Sequence, residues 1–159
     1  MFHIILLEPE IPPNTGNVIR LTANTGCQLH LVHPLGFRID AAQVRRAGLD
    51  YHQMARVHEH PNLAACLAAV QPRRLWLVET GGATRYSDVS YEPGDALLFG
   101  RETAGLPPEV VNGVPSETVV HIPMQPGNRS LNLSNSVALV VFEAWRQNHF
   151  AMELTDAIP

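Results

Sequence analysis

The chain has 159 residues, 45% hydrophobic and only 16% charged, with a net charge of −4 and an isoelectric point near 6.0. That length makes one domain able to bury a core without staples, and the composition excludes disordered, collagenous and low-complexity classes. The net acidity excludes a nucleic-acid binder working through bulk charge.

Phe2–Glu8 is a short apolar run suited to a buried strand, after which Pro9, Pro12 and Pro13 forbid a continuing helix. Asn14 is placed to cap a helix through Val18, Ile19 and Leu21–Thr25, ended by Gly26. Leu29–His33 reads as a strand closed by Pro34, and Asp40 as the cap of a short helix from Gln43 to Ala47. Ala55–His58 is a poorer strand, Pro61–Val70 a helix with Pro in its first turn, and Arg74–Glu79 a clear strand. Thr80–Pro93 is a loop rich in Gly, Thr and Ser. Ala96–Gly100 is a strand, Pro107–Asn112 a short helix, Thr118–Pro123 a strand and Ser134–Gln147 the last helix. The ordered pattern covers 2–147, and the tail 148–159 carries no signal. Strands alternate with helices, and their apolar runs are continuous. This predicts a single α/β domain over 1–159 whose mainly parallel sheet has helices on both faces.

Ligands of such sheets bind beyond the carboxyl ends of the strands, and three polar clusters fall there. The first is Asn14-Thr15-Gly16-Asn17-Val18-Ile19-Arg20, where helical spacing lets Asn14, Asn17 and Arg20 share a face. A cation so near a helix N-terminus is mildly unfavourable, which argues for a function at Arg20 rather than plain solvation. The second, Phe99 to Pro107, holds two glycines. Gly100 would let a ligand approach the backbone and Gly105 would allow a tight turn. Glu102, in the same crevice, could pair with Arg20, meet a cationic ligand or cap the helix at Pro107. The third runs through Arg129, Ser130, Asn132, Ser134 and Asn135 into a helix N-terminus, with more polar groups than one cap needs.

All 11 basic residues are Arg, the better fork for phosphate. Arg45 and Arg46 with Tyr51 could form an RNA-binding patch, a flipped base stacking on the Tyr51 ring. The alternative is an ordinary amphipathic helix. Charged content well below the usual share of about 25% hints at a surface partly covered by a second copy. Cys27 and Cys66 form no metal or redox motif and are expected as buried free thiols. The eight His lack tight metal spacing, so no metal is expected, and His58-Glu59-His60 reads as a solvated edge. Dinucleotide, P-loop, nucleophile-elbow and zincin motifs are missing. With no basic leader and no apolar run near 18 residues, a cytoplasmic chain without a membrane segment is expected.

Four blocks taken in order, EPEIPPNTGNVIRLTANTG (8–26), RRAGLDYH (45–52), FGRETAGLP (99–107) and IPMQPGNRSLNLSNSVALVVFEAWRQ (122–147), resemble the SPOUT class of RNA methyltransferases. Within it they resemble the small tRNA 2′-O-methyltransferases of the wobble nucleotide. The resemblance implies a deep trefoil knot at the C-terminal side, which periodicity cannot show. It implies S-adenosylmethionine (SAM) held by the segments Val78–Gly81, Phe99–Gly105 and Ile122–Leu131, with Val78, Gly100, Gly105, Ile122, Met124, Ser130 and Leu131 as contacts. It implies a homodimer with a composite active site, the tRNA anticodon loop as substrate, and a catalytic group of Asn14, Arg20, Glu102, Ser130 and Asn132. Because a guanidinium keeps its proton, Arg20 is expected as electrostatic stabiliser and phosphate clamp. The alternatives are another RNA target, such as ribosomal RNA, or a non-catalytic SAM- or RNA-binding module.

Overall fold

The computed structural model describes residues 1–46 and 48–151; Ala47, residues 152–159 and the side chains of Ala41, Gln43 and Tyr51 lie outside the described part. The described residues contain seven strands: β1 (His3–Leu7), β2 (Gln28–Val32), β3 (Val57–His60), β4 (Leu75–Val78), β5 (Thr84–Arg85), β6 (Ala96–Phe99) and β7 (Val119–His121). Around them lie α1 (Pro12–Thr25), α2 (Ala41–Arg46), α3 (Tyr51–Met54), α4 (Leu63–Val70), α5 (Pro108–Asn112) and α6 (Leu133–Gln147), with a 3-10 turn at Ser116–Thr118.

The strands form one sheet in the order β3-β2-β1-β6-β4-β7-β5, every pair parallel. Their unbroken apolar runs follow from burial on both faces. Ile4, Leu6, Leu29, Leu97 and Phe99 pack with Val18 and Ile19 of α1 and with Val137, Val140, Val141 and Ala144 of α6. Alternate residues Ile5, Leu7, Val32, Leu77 and Leu98 face the other way, against Cys66 and Leu67 of α4 and Val110 of α5.

The boundaries depart from the sequence reading where a local signal is overruled. Helix α1 starts at Pro12, with Ile11 at the cap position. Two prolines fill the first turn, where a missing N–H costs nothing, so Asn14 is not the cap and its side chain is released for another use. Gly26 ends α1 as expected, at φ 77° with its N–H on the Thr22 carbonyl. Helix α4 is capped by Asn62, whose side chain accepts from the Ala65 N–H, and not begun by Pro61. The third strand lies two residues later than its apolar signal, since backbone pairing with β2 decides an edge strand's position. Neither α3 nor β5 has enough residues to carry a period. β5 forms because β7 offers it an open edge, pairing Thr84 with Val120 and Arg85 with His121.

β7 sits between β4 and β5 although it follows both in the chain. The C-terminal segment therefore returns into a sheet whose flanking strands come earlier, the placement a C-terminal knot requires. The crossing is tight: a Cβ on Gly82 would lie 2.5 Å from the Val120 carbonyl carbon. Below the crossing, the fully buried Asp95 carboxylate accepts from Arg74 Nε and Nη2, Trp76 Nε1 and the Glu92 N–H. In sheet order β6, β4 and β7 are adjacent, so the loops leaving their carboxyl ends come together.

Candidate active site

Those three loops enclose a cleft of about 510 Å³. Its walls include Val78 from the end of β4, Gly100 and Gly105 after β6, and Ile122, Met124, Ser130 and Leu131 after β7. Asn14, Glu102 and Asn132 also line it. The volume suits a nucleoside-sized ligand. Its apolar wall is assembled from Val78, Phe99, Ile122 and Met124, with Leu131 left 39% exposed beside it. Asn132, Leu133 and Ser136 of the α6 start also face the cleft, bringing the positive end of that helix to it.

The polar side chains form a directed chain. Ser134 Oγ donates to Asn132 Oδ1 at 2.7 Å, Asn132 Nδ2 donates to Asn14 Oδ1 at 2.8 Å, and Asn14 Nδ2 donates to Glu102 Oε1 at 3.2 Å. Asn17 Nδ2 joins at Ser134, 3.4 Å away. Asn132 Oδ1 also accepts the Asn135 N–H and so caps α6. Glu102 ends the chain by accepting the Glu10 N–H at 2.8 Å and the Ile11 N–H at 3.1 Å. A carboxylate thus sits at the N-terminus of α1, where the helix dipole favours it. Glu102 holds the loop before α1; it neither pairs with Arg20 nor caps α5. Asn14, Glu102 and Asn132 are consequently engaged with one another. Ser130, by contrast, is exposed on the cleft wall.

The glycines act by close packing of the chain on itself. A Cβ on Gly100 would lie 2.1 Å from the Gly105 carbonyl carbon and 2.3 Å from the Leu106 nitrogen. What approaches Gly100 is therefore the chain's own backbone. Gly105 adopts φ +67°, and Arg101 and Gly105 exchange both backbone hydrogen bonds across the turn. Glu79 fastens this turn by accepting the Leu106 N–H at 2.7 Å and the Thr80 N–H at 2.9 Å. Glu10 takes the Thr103 N–H and hydroxyl, and Glu8 pairs with Arg101. The sequence reading missed Glu8, Glu10, Glu79 and Thr103. The surplus of acidic residues at strand ends was the available signal.

Arg20 lies elsewhere. It lines a second cleft of about 500 Å³ with Phe37, Arg38, Ile39, Arg46 and the first turns of α1. The two clefts share no lining residue. Thr15, which lines the second, has a buried hydroxyl with no partner among the described residues. Arg46 faces this cleft and Arg45 does not line it; the Tyr51 side chain lies outside the described residues.

At the other edge of the sheet His60 is half-buried, not solvated as the sequence suggested. It meets His30 from β2 and Cys66 from α4, a grouping that sequence spacing cannot reveal because the partners belong to three elements. Burial, with His3, His58 and His60 around it, pushes His30 down to about 3, and burial pushes the Cys66 thiol up to about 11. Among the described residues no helix is long and apolar enough to cross a membrane.

Residues 1–142 match the SpoU rRNA Methylase family. A tRNA (cytidine(34)-2′-O)-methyltransferase of a Polaromonas species is 58% identical over 153 residues, covering 95% of this chain and 93% of that one. A solved structure concerned with the 2-OH methylation of C/U34 on tRNA superposes with a TM-score of 0.85 at 40% identity, covering 95% of this chain and 98% of the other. The SpoU methyltransferase AviRb from Streptomyces viridochromogenes, solved with AdoMet, shares the fold at 23% identity and a TM-score of 0.79, over 94% of this chain and 61% of that one.

Proposed function

Because the chain belongs to the SpoU rRNA methylase family, we infer that it methylates the ribose 2′-hydroxyl of the wobble nucleotide of tRNA, with SAM as donor. The observation that carries this is the convergence of Val78, Gly100, Gly105, Ile122, Met124, Ser130 and Leu131 on one cleft at the ends of three adjacent strands. The donor set fits SAM: an apolar wall for adenine, exposed hydroxyl and amide groups for ribose, and the positive end of α6 for the methionine carboxylate. Bound there, SAM would supply an electrophilic methyl group: the 2′-oxygen would bond to the methyl carbon as the methyl–sulfur bond breaks, S-adenosylhomocysteine being the leaving group and the hydroxyl proton passing to a substrate phosphate or a nearby group.

The chain's own residues then divide the work. Asn14, Glu102 and Asn132 hold α1, the Gly100–Gly105 turn and α6 in fixed relation. Such positioning is worth roughly 7–11 kcal/mol of barrier when it delivers a near-attack geometry. Ser130 and the loop around it orient the ligands. Arg20, permanently charged, stabilises the oxyanion that forms on the ribose and clamps a phosphate. It faces a different cleft from the one that holds SAM. A second copy that brings its Arg20 to this chain's cleft would complete the site, and this supports a homodimer. The exposed stripe of Leu139 and Phe142 on α6, both above 40% exposed, is a surface for that second copy. The second cleft, with Arg20, Arg38 and Arg46 beside Phe37 and an unpaired Thr15 hydroxyl, suits an anticodon-loop nucleotide.

The test is labelled methyl transfer from SAM to tRNA from a strain lacking this protein, with nucleoside mapping. Label as a 2′-O-methyl nucleoside at the wobble position is expected; no incorporation overturns the reading. Mixed dimers test the shared site. Arg20→Ala and Gly100→Val chains, each inactive alone, should regain about a quarter of wild-type activity when reassorted, since one of two sites in each heterodimer is whole. No recovery would place Arg20 in its own chain's site.

A further inference from the structure

Away from both clefts, the sheet face under α4 gathers side chains from three elements. β2 and β3 pair with His30 opposite His58 and Val32 opposite His60, so alternation puts His30, His58 and His60 on one face. Helix α4 packs over these strands, its register set by the Asn62 cap, and presents the fully buried Cys66 to them. One ligating atom from each of His30, His60 and Cys66 lies within 4.8 Å of the other two. His30 Nδ1 is 3.0 Å from His60 Nε2, while its far nitrogen, Nε2, is 3.1 Å from His3 Nδ1. His30 is only 6% exposed, and the His58 ring stacks on it at 5.2 Å.

A tetrahedral ion about 2.0–2.1 Å from nitrogen and about 2.3 Å from sulfur needs ligand atoms roughly 3.3–3.7 Å apart. The present separations, 3.0 Å between the two imidazole nitrogens and at most 4.8 Å within the group, bracket that range. Among the described residues no carboxylate belongs to the group, and Glu59 is turned to His33. Two imidazoles and a thiol select a borderline-soft cation over magnesium or calcium. His3, on the far nitrogen of His30, is placed to fix the ring and its tautomer.

We propose that His30, His60 and Cys66 bind one zinc-class divalent cation per chain, the half-buried side at His60 leaving a fourth position for water. The thiol proton passes to solvent as sulfur takes up the ion. The ion ties edge strand β3 and helix α4 to β2, a structural clamp separate from methyl transfer.

The test uses the full-length protein stripped by a chelator and titrated with Zn²⁺ by calorimetry, then with Co²⁺ as spectroscopic probe. One Zn²⁺ per chain is expected, with a thiolate-to-cobalt charge-transfer band. Cys66→Ser should abolish the band and weaken Zn²⁺ binding at least about tenfold, Cys27→Ser should change neither, and His3→Asn should weaken binding roughly 10–100-fold. Circular dichroism of each variant separates lost binding from lost fold. Absence of stoichiometric binding to the wild-type chain would overturn the proposal. So would a cobalt band that survives Cys66→Ser, and either result would leave His3, His30 and His60 as a chain of hydrogen-bonded rings.

Discussion

Replacing Glu102 by Ala removes an acceptor that three donors share: the Glu10 N–H at 2.8 Å, the Ile11 N–H at 3.1 Å and Asn14 Nδ2 at 3.2 Å. A hydrogen bond to a charged group contributes about 1.5–3 kcal/mol. The Ile11 contact is exposed and the Asn14 contact long, so the sum is discounted to about 2–4 kcal/mol. For a chain of this size that lowers Tm by about 5–15 °C. Catalysis should fall further than stability predicts. Asn14 also receives Asn132, so its release loosens the start of α6 and the cleft wall together. Misplacement by about 1 Å can cost on the order of 100-fold in rate. Glu102→Gln separates the contributions. Its single carbonyl oxygen can stand at the Oε1 position, keeping Ile11 and Asn14 while its amide faces the Glu10 N–H. About half of the Tm loss is then expected. The assays are thermal unfolding by circular dichroism and SAM-dependent transfer to tRNA, with KM for SAM separated from kcat. Glu102→Ala with unchanged Tm and unchanged kcat/KM would refute the claim that this carboxylate joins the loops.

Gly100→Ala drives a Cβ into the Gly105–Leu106 backbone and should lower the stability of the fold by about 1–3 kcal/mol. Gly81→Ala, with no protein atom within 4 Å of the added carbon, should leave Tm unchanged; equal losses of stability in both would refute the packing argument. Asp95→Asn leaves Arg74 and the Trp76 N–H without their buried carboxylate, so stability in denaturant should fall by about 3 kcal/mol or more, and a change below about 1 kcal/mol would contradict that role. Phe142→Asp on the exposed stripe of α6 should give a monomer in sedimentation and reduce methyl transfer on the order of 100-fold. An active monomer would remove the shared site.

The amino-acid sequence by itself determined the class of fold. Continuous apolar strands such as HIILL and ALLF, alternating with helices such as the one closed by Gly26, specify a parallel sheet covered on both faces. It also placed the polar clusters at strand ends, because proline and glycine punctuation is local. Periodicity reports only neighbours along the chain, so it was silent on what those clusters do to one another. That Asn14 is not a cap but a link between Glu102 and Asn132, across 88 and 118 residues, follows from the order β6-β4-β7. Two-residue β5 exists only because β7 comes back beside it. The same limit separates Arg20 from the cleft it was grouped with. Spacing put it on the face of Asn14 and Asn17, yet 100° per residue leaves three positions spread over an arc, and packing of α1 on α6 turns Asn14 to one cleft and Arg20 to the other. His30, His60 and Cys66 came together in the same way, through strand register and the seating of α4, since contacts across elements are fixed by tertiary packing.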